Sequence, residues 1–207
     1  MAATPFPPGF FDRLDPSPDT GFYGPPRLVH HLDDGAIQAV GELYEELGVD
    51  RGRVLDLMSS WVSHFLVPPE ALVILGMNAD ELRANTAAAE RVVHDLNAVP
   101  ELPFDAGTFD HAVCCVSVDY LTRPLEVFAE IAQVLKPGGL FVCTFSNRCF
   151  PTKAIRGWLA SDDAEHVRIV RSYFAHAGGF GPADADLRTD PHAAGDPLWA
   201  VWARARS

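Results

Sequence analysis

The stretch DLNAVPELPFDAGTFDHAVC, residues 95–114, followed at 127–148 by VFAEIAQVLKPGGLFVCTFSNR, decides the fold. Within it, HAVCCVSV (111–118) and FVCTFS (141–146) are short apolar runs of the kind that form strands buried on both faces. Between them Pro124 stands at a helix start. Leu125, Phe128, Ala129, Ala132 and Leu135 then supply an apolar stripe, and Lys136-Pro137-Gly138-Gly139 ends it. No helix follows those glycines, so they read as a turn into the next strand and not as a phosphate loop.

Upstream the rhythm continues. Val54, Leu55 and Leu57 form an apolar run broken only by Asp56, LVILGM (72–77) is a second buried strand, and 91–95 is a third. Asn78 ahead of Ala79, Asp80, Glu81 and Leu82 has the form of an N-cap and first helical turn. Residues 61–66 fit a brief helix stopped by Pro68 and Pro69. Before the first strand, Asp33 or Asp34 caps a helix carrying Ile37, Val40, Leu43, Tyr44 and Leu47 and ending at Gly48. Near the end, 164–177 reads as a helix and 198–203 as a closing strand. Buried strands separated by amphipathic helices predict a doubly wound, mostly parallel, Rossmann-like α/β sheet with its ligand crevice at the carboxyl ends of the strands. Residues 1–32, rich in proline and aromatics, read as an arm or lid lying on a single domain, 33–207.

Length and charge narrow the function. The chain has 207 residues, enough for one ordinary domain. Hydrophobic residues at 48% and charged ones at 21% exclude wholesale disorder, collagen-like repeats and a long charged coiled coil. The formal charge is −12 and Lys136 and Lys153 are the only lysines, so no basic stripe can track a phosphate backbone, which argues against nucleic acid as a partner. No apolar run approaches the roughly 18 residues of a membrane span, and the N-terminus lacks the charged and apolar segments of a secretory signal. A cytoplasmic protein with no membrane partner is the expectation. Cys114, Cys115, Cys143 and Cys149 show no C-x-x-C spacing and read as free thiols, with Cys114 and Cys115 on opposite faces of one strand. The histidines have no metal-ligand spacing, so no metal is expected.

With RVLDL (53–57) upstream, the L-P-F-D-x-x-x-F-D and V-L-K-P-G-G segments stand in the order and separation found in class I S-adenosylmethionine-dependent methyltransferases, and residues 53–147 resemble their type 11 branch. The resemblance implies a seven-stranded sheet with an antiparallel last strand, S-adenosyl-L-methionine as donor, and a small organic molecule as methyl acceptor. It implies that Asp95 and Leu96 hold the adenine edge, and that Ser117, Asp119 and Tyr120 bring the acceptor to the donor methyl. It also implies that the segment before the first strand closes the site. The family's glycine-rich turn D-x-G-x-G-x-G is not kept: Asp56 stands in its acidic position, but Met58, Ser60 and Val62 fill the glycine positions. The ribose-gripping acid at the end of strand two is also missing, its place falling on Gly76 with Met77 and Asn78 next.

Two functions fit these residues. In the first, the donor still binds along Met58, Ser59, Ser60 and Trp61. The serine hydroxyls and a helix N-terminus hold its carboxylate, Asp56 its amino group, and Asn78, after Met77, its ribose. In the second, side chains in the former glycine turn close the pocket and the fold survives as a noncatalytic binding or scaffold protein, as positive φ at Met or Val would favour. A carboxylate at an apolar strand end is costly unless it is paired or faces a wet crevice, which favours a functional Asp56. Trp61 has two roles open to it, a ring face for the sulfonium or a packing anchor. His64 is open between a base toward an acceptor proton and a structural hydrogen-bonder. Asp119 and Tyr120 can orient an acceptor, and Asp119 can equally brace the turn into the Pro124 helix.

Overall fold

The computed structural model describes residues 5–192 and 194–206; residues 1–4 of the expected arm lie outside them. Strands β1 (Arg53–Leu57), β2 (Ala71–Gly76), β3 (Glu90–Val93), β4 (His111–Cys115) and β5 (Leu140–Phe145) run parallel. Strand β7 (Trp199–Arg204) is antiparallel to both β5 and β6 (Asp184–Leu187), and the sheet order is β3-β2-β1-β4-β5-β7-β6. The order reverses between β1 and β4, which places a crevice at their carboxyl ends.

The pleat sorts the apolar runs into two layers. Leu55, Leu57, Ala112, Cys114, Phe141, Cys143 and Phe145 face the larger core, under α4 (Pro124–Val134) and α6 (Asp163–Ala177). Val113, Leu140, Val142 and Ala200 face the opposite layer under α2 (Asp34–Leu47), whose Ala36, Val40, Leu43 and Tyr44 are buried there. Cys115 packs on that second layer, so the two adjacent thiols do face opposite sides. Asp33 caps α2 by accepting from the Ala36 N–H, and Gly48, at φ 68°, closes it with a left-handed turn.

Several expected elements change. Residues 61–66 form no helix: the Ser59 and Ser63 hydroxyls are drawn to Asp56, the Phe65 N–H bonds back to the Ser63 carbonyl, and the segment runs irregularly to Pro68 and Pro69. The fourth strand stops at Cys115 rather than at Val118 because Val116 turns to φ 43°, and Val118–Tyr120 is a 3₁₀ turn. The third strand is Glu90–Val93, ending before Asp95. Three elements lack an apolar signature in the sequence: α1 (Asp19–Tyr23), α5 (Arg156–Leu159) and β6, an edge strand whose Asp184 and Asp186 face water.

The arm lies on the domain. The Phe10 ring fills the space above Gly157, where an added Cβ would lie 2.3 Å from it, and Phe6, Phe10 and Phe11 cluster beside Tyr173. Further along, Asp19 accepts two hydrogen bonds from Arg13 at 2.7 and 2.8 Å and one from the Asn97 amide at 2.8 Å. The fully buried Lys153 ammonium lies 3.2 Å from Asp19 and 2.9 Å from Asp15.

Candidate active site

A cavity of about 290 Å³ opens at the carboxyl ends of β1, β2 and β4 and is roofed by Tyr23, Arg27, Val29, His30 and His31 of the arm. That volume is at the lower edge of small-molecule sites, roughly 300–1,000 Å³. All the sequence-predicted site residues except Asp119 line it. Met58 and Val62 stand in its wall and leave it open.

At the end of β1, Asp56 is buried, and its Oδ2 accepts from Ser59 Oγ at 2.6 Å and Ser63 Oγ at 2.5 Å. Burial pushes its carboxyl up and the two hydroxyls pull it part of the way back, to about 6. The chain turns at Met58 with φ 53°, a left-handed conformation that costs a residue with a side chain roughly 1–2 kcal/mol. The turn swings the Ser59 carbonyl over the end of β2, and a Cβ added to Gly76 would lie 2.2 Å from that oxygen. A side chain at Gly76 is therefore excluded by this turn.

Asn78 has no hydrogen-bonding capacity left. Its Oδ1 caps α3 (Ala79–Ala84) through the Asp80 and Glu81 N–H groups, and its amide donates to the Tyr23 and Gly24 carbonyls at 2.9 and 2.8 Å. It clamps the arm. Glu81, which the sequence reading took only as part of a helical turn, lines the cavity instead. At the third helical position a capping-box glutamate would return to the Asn78 N–H. Here it accepts from Ser60 Oγ and from the Arg27 N–H, both at 2.6 Å. The asparagine three residues ahead is the signal that was available. At the end of β3, Asp95 Oδ1 accepts from the Asn97 and Ala98 N–H groups, Oδ2 has no partner among the described residues, and Leu96 is buried beside it.

The roof is aromatic. The Trp61 indole donates to the Val29 carbonyl at 3.1 Å and its ring stacks on His30, so both its functions are spent on the arm. His64 lies edge-on to His30, and burial, with the charges of His30 and His31, holds it down at about 4. On the β4 side Ser117 Oγ donates to the Cys115 carbonyl, and Tyr120 Oη accepts from the Phe150 N–H at 2.8 Å. Asp119 sits behind this wall, 3% exposed, with Oδ2 unpaired among the described residues. Burial pushes it up to about 8, against smaller opposing effects of its own N–H and Tyr120. No trio of histidine, cysteine or acidic side chains could hold a metal ion among the described residues, and no described helix is long and apolar enough to cross a membrane.

Residues 55–143 match the family model of a methyltransferase domain. A 24-methylenesterol C-methyltransferase of Arabidopsis thaliana is 28% identical over 47% of this chain and 27% of its own length. A malonyl-[acyl-carrier protein] O-methyltransferase of Marinomonas sp. is 24% identical over 59% and 44%. The chain thus spans less than half the length of these curated relatives. Among solved structures, a chain of a complex that contains the Haloferax volcanii Trm112 methyltransferase activator aligns with TM-score 0.57 at 17% identity, over 83% of this chain and 94% of that one. An S-adenosylmethionine-dependent methyltransferase from Mesorhizobium loti aligns with 0.54 at 19%, over 80% and 97%. The cyclase SpnF shares the fold with TM-score 0.62 at 17%, over 90% and 91%. Residues 55–143 are thus similar to a methyltransferase domain, and the strand order together with these neighbours shows that the chain has the fold of the class I methyltransferases.

Proposed function

We propose that the protein transfers a methyl group from S-adenosylmethionine to a small organic acceptor. The observation that carries this reading is the open cavity at the ends of β1, β2 and β4, with acidic side chains along one wall. The cyclase among the neighbours is a reminder that the fold alone does not fix the reaction.

When bound, the donor supplies a methyl group on a cationic sulfonium. Asp56, whose Oδ1 has no partner among the described residues, is placed to accept from the donor's ammonium, and Asp95 Oδ2 from the exocyclic amine of adenine. Glu81 takes over the ribose hydroxyls, since each of its oxygens accepts only one bond from the protein and Asn78 is fully engaged. Ser59 and Ser60 shape the turn around the amino-acid end, with Met58 and Met77 as its apolar wall. On the other side Ser117 and Tyr120 align the acceptor, and alignment supplies most of the acceleration of a displacement of this type. Asp119, behind them, is a positioning residue for Tyr120. A histidine held near 4 is a weak base, so His64 serves the roof with Trp61 and His30. The arm excludes water from the reacting atoms.

Calorimetry with S-adenosylhomocysteine tests the reading. Submillimolar binding that Asp56→Ala and Asp95→Ala each weaken about tenfold is expected. A well-folded sample that gives no heat would leave the noncatalytic scaffold as the better account.

A further inference from the structure

The cavity is divided by charge. Its wall from β1, α3 and the end of β3 carries Asp56, Glu81 and Asp95, whereas the arm and the segment after β5 contribute Arg27 and Arg148, with Phe150 beside Arg27; the arm's Asp19, also in the lining, is already paired with Arg13 and Lys153. The chain has 28 acidic against 16 basic side chains, yet the Arg27 guanidinium makes no ion pair among the described residues. It is held by the Phe22 carbonyl at 2.9 Å and the Pro25 carbonyl at 3.5 Å, with Cζ 4.5 Å from the Phe22 ring centre and 5.7 Å from that of Phe150. Arg148 donates through Nε to Asp196 at 2.6 Å, and its two terminal nitrogens have no partner among the described residues. Asp196 is itself fixed, exchanging hydrogen bonds with Asp33 at 2.9 and 2.7 Å. Both guanidinium forks are thus oriented before any ligand arrives, and both keep donors unspent.

We propose that the acceptor is a small organic anion, whose carboxylate or phosphate is seated by Arg27 and Arg148 beside Phe150. The proposal rests on the methyl-transfer reading only in calling this ligand the acceptor. A cationic donor suits the acidic wall and an anion the basic one, so the cavity orients two partners of opposite charge against each other. Charges elsewhere on the molecule are screened beyond about 10 Å, so these two forks make the selection locally. Planar guanidinium groups match carboxylate and phosphate oxygens in pairs, which a neutral isostere cannot exploit.

Calorimetry of the full chain, with and without saturating S-adenosylhomocysteine, tests this with benzoate, phenyl phosphate and the neutral isostere benzamide. At least one anion binds at millimolar concentration or better and about tenfold more tightly than benzamide, and the stronger of the two identifies the group. Arg27→Gln and Arg148→Gln each abolish that preference while the affinity for S-adenosylhomocysteine stays within about twofold. Arg148 is largely exposed, so its variant folds even where the Arg27 one does not. Benzamide binding as well as the anions, no heat from either anion, or an anion preference that survives both substitutions would overturn the proposal. Anion preference without S-adenosylhomocysteine binding would keep the anion seat and sink the methyl-transfer reading instead.

Discussion

Asp19 and Asp119 are equally inaccessible, each 3% exposed, and they have opposite electrostatic fates. Around Asp19, burial alone would push the carboxyl up, but Arg13, Asn97 and Lys153 outweigh it and hold the group below its ordinary 3.8. Around Asp119 nothing comparable has been assembled, and burial raises the carboxyl to about 8. The contrast teaches that solvent access alone does not decide whether a carboxylate stays charged here; its partners, and how densely protein surrounds it, do. It also separates two jobs. Asp19 ties the arm to the domain, and Asp119 stands as a neutral acid behind the cavity wall formed by Ser117 and Tyr120.

Breaking the paired side has the largest expected effect. Lys153→Met removes the fully buried cation shared by Asp15 and Asp19, and taking away one partner of a buried ion cluster costs about 3–5 kcal/mol. Chemical denaturation should show that loss, and hydrogen exchange should show faster opening of residues 13–31 than of β1 and β4. Since the folded-state value for Asp19 is depressed, the contribution of the cluster is complete above the ordinary carboxylate value of 3.8 and fades as pH falls through the lower, folded one. A variant as stable as the parent at pH 7, with an equally protected arm, would mean that the cluster does not hold the arm down.

The unpaired side should respond in the opposite sense. Because the Asp119 carboxyl is raised, the folded state binds its proton more tightly than the unfolded chain between pH 3.8 and about 8, and stability declines across that window. Asp119→Asn removes the decline. The variant should match the parent near pH 4 and exceed it by roughly 1–3 kcal/mol at pH 9, as read from urea midpoints at the two pH values. Equal midpoints at pH 9 would show that a partner or water already compensates the charge.

How far the sequence reached follows the same physics. Strands β1, β2, β4 and β5 were legible because both their faces are buried and the apolar run records it, and α2 because Asp33 and Gly48 mark its ends. β6 was not, since an edge strand with one wet face spells only Asp-Ala-Asp-Leu. In the site, Asp56 and Asp95 were visible as acids at strand ends. The clamp of Asn78 on the arm was not, because it joins residues 54 and 55 positions apart through backbone carbonyls that carry no sequence signature. Arg27, Arg148 and Phe150 were hidden for a related reason: the arm must first fold back over the sheet before Arg27 meets Phe150 and shares a cavity with Arg148. The irregular path of residues 61–66 was misread as a helix because Asp56, rather than a helical backbone, claims the serine hydroxyls.

Asp56 lies between the two extremes and sharpens the comparison with the smallest effect. Two serine hydroxyls are weaker partners than two cations, so they return only part of what burial takes, and the carboxyl stops at about 6. Its charge is therefore lost within a mildly acidic range, while that of Asp19 persists. If Asp56 holds the donor's ammonium, affinity for S-adenosylhomocysteine should weaken by up to about tenfold between pH 7 and pH 5 as the carboxyl takes up a proton. His31 lies in the same roof, and burial pulls it below its ordinary 6.5, so it can add a slope of its own. Asp56→Asn isolates the two contributions, since it keeps the histidine and removes the acid. Its affinity should start about tenfold lower at pH 7 and change little on acidification. A variant with the parent's full pH slope would assign that slope to the roof and take Asp56 out of contact with the ligand.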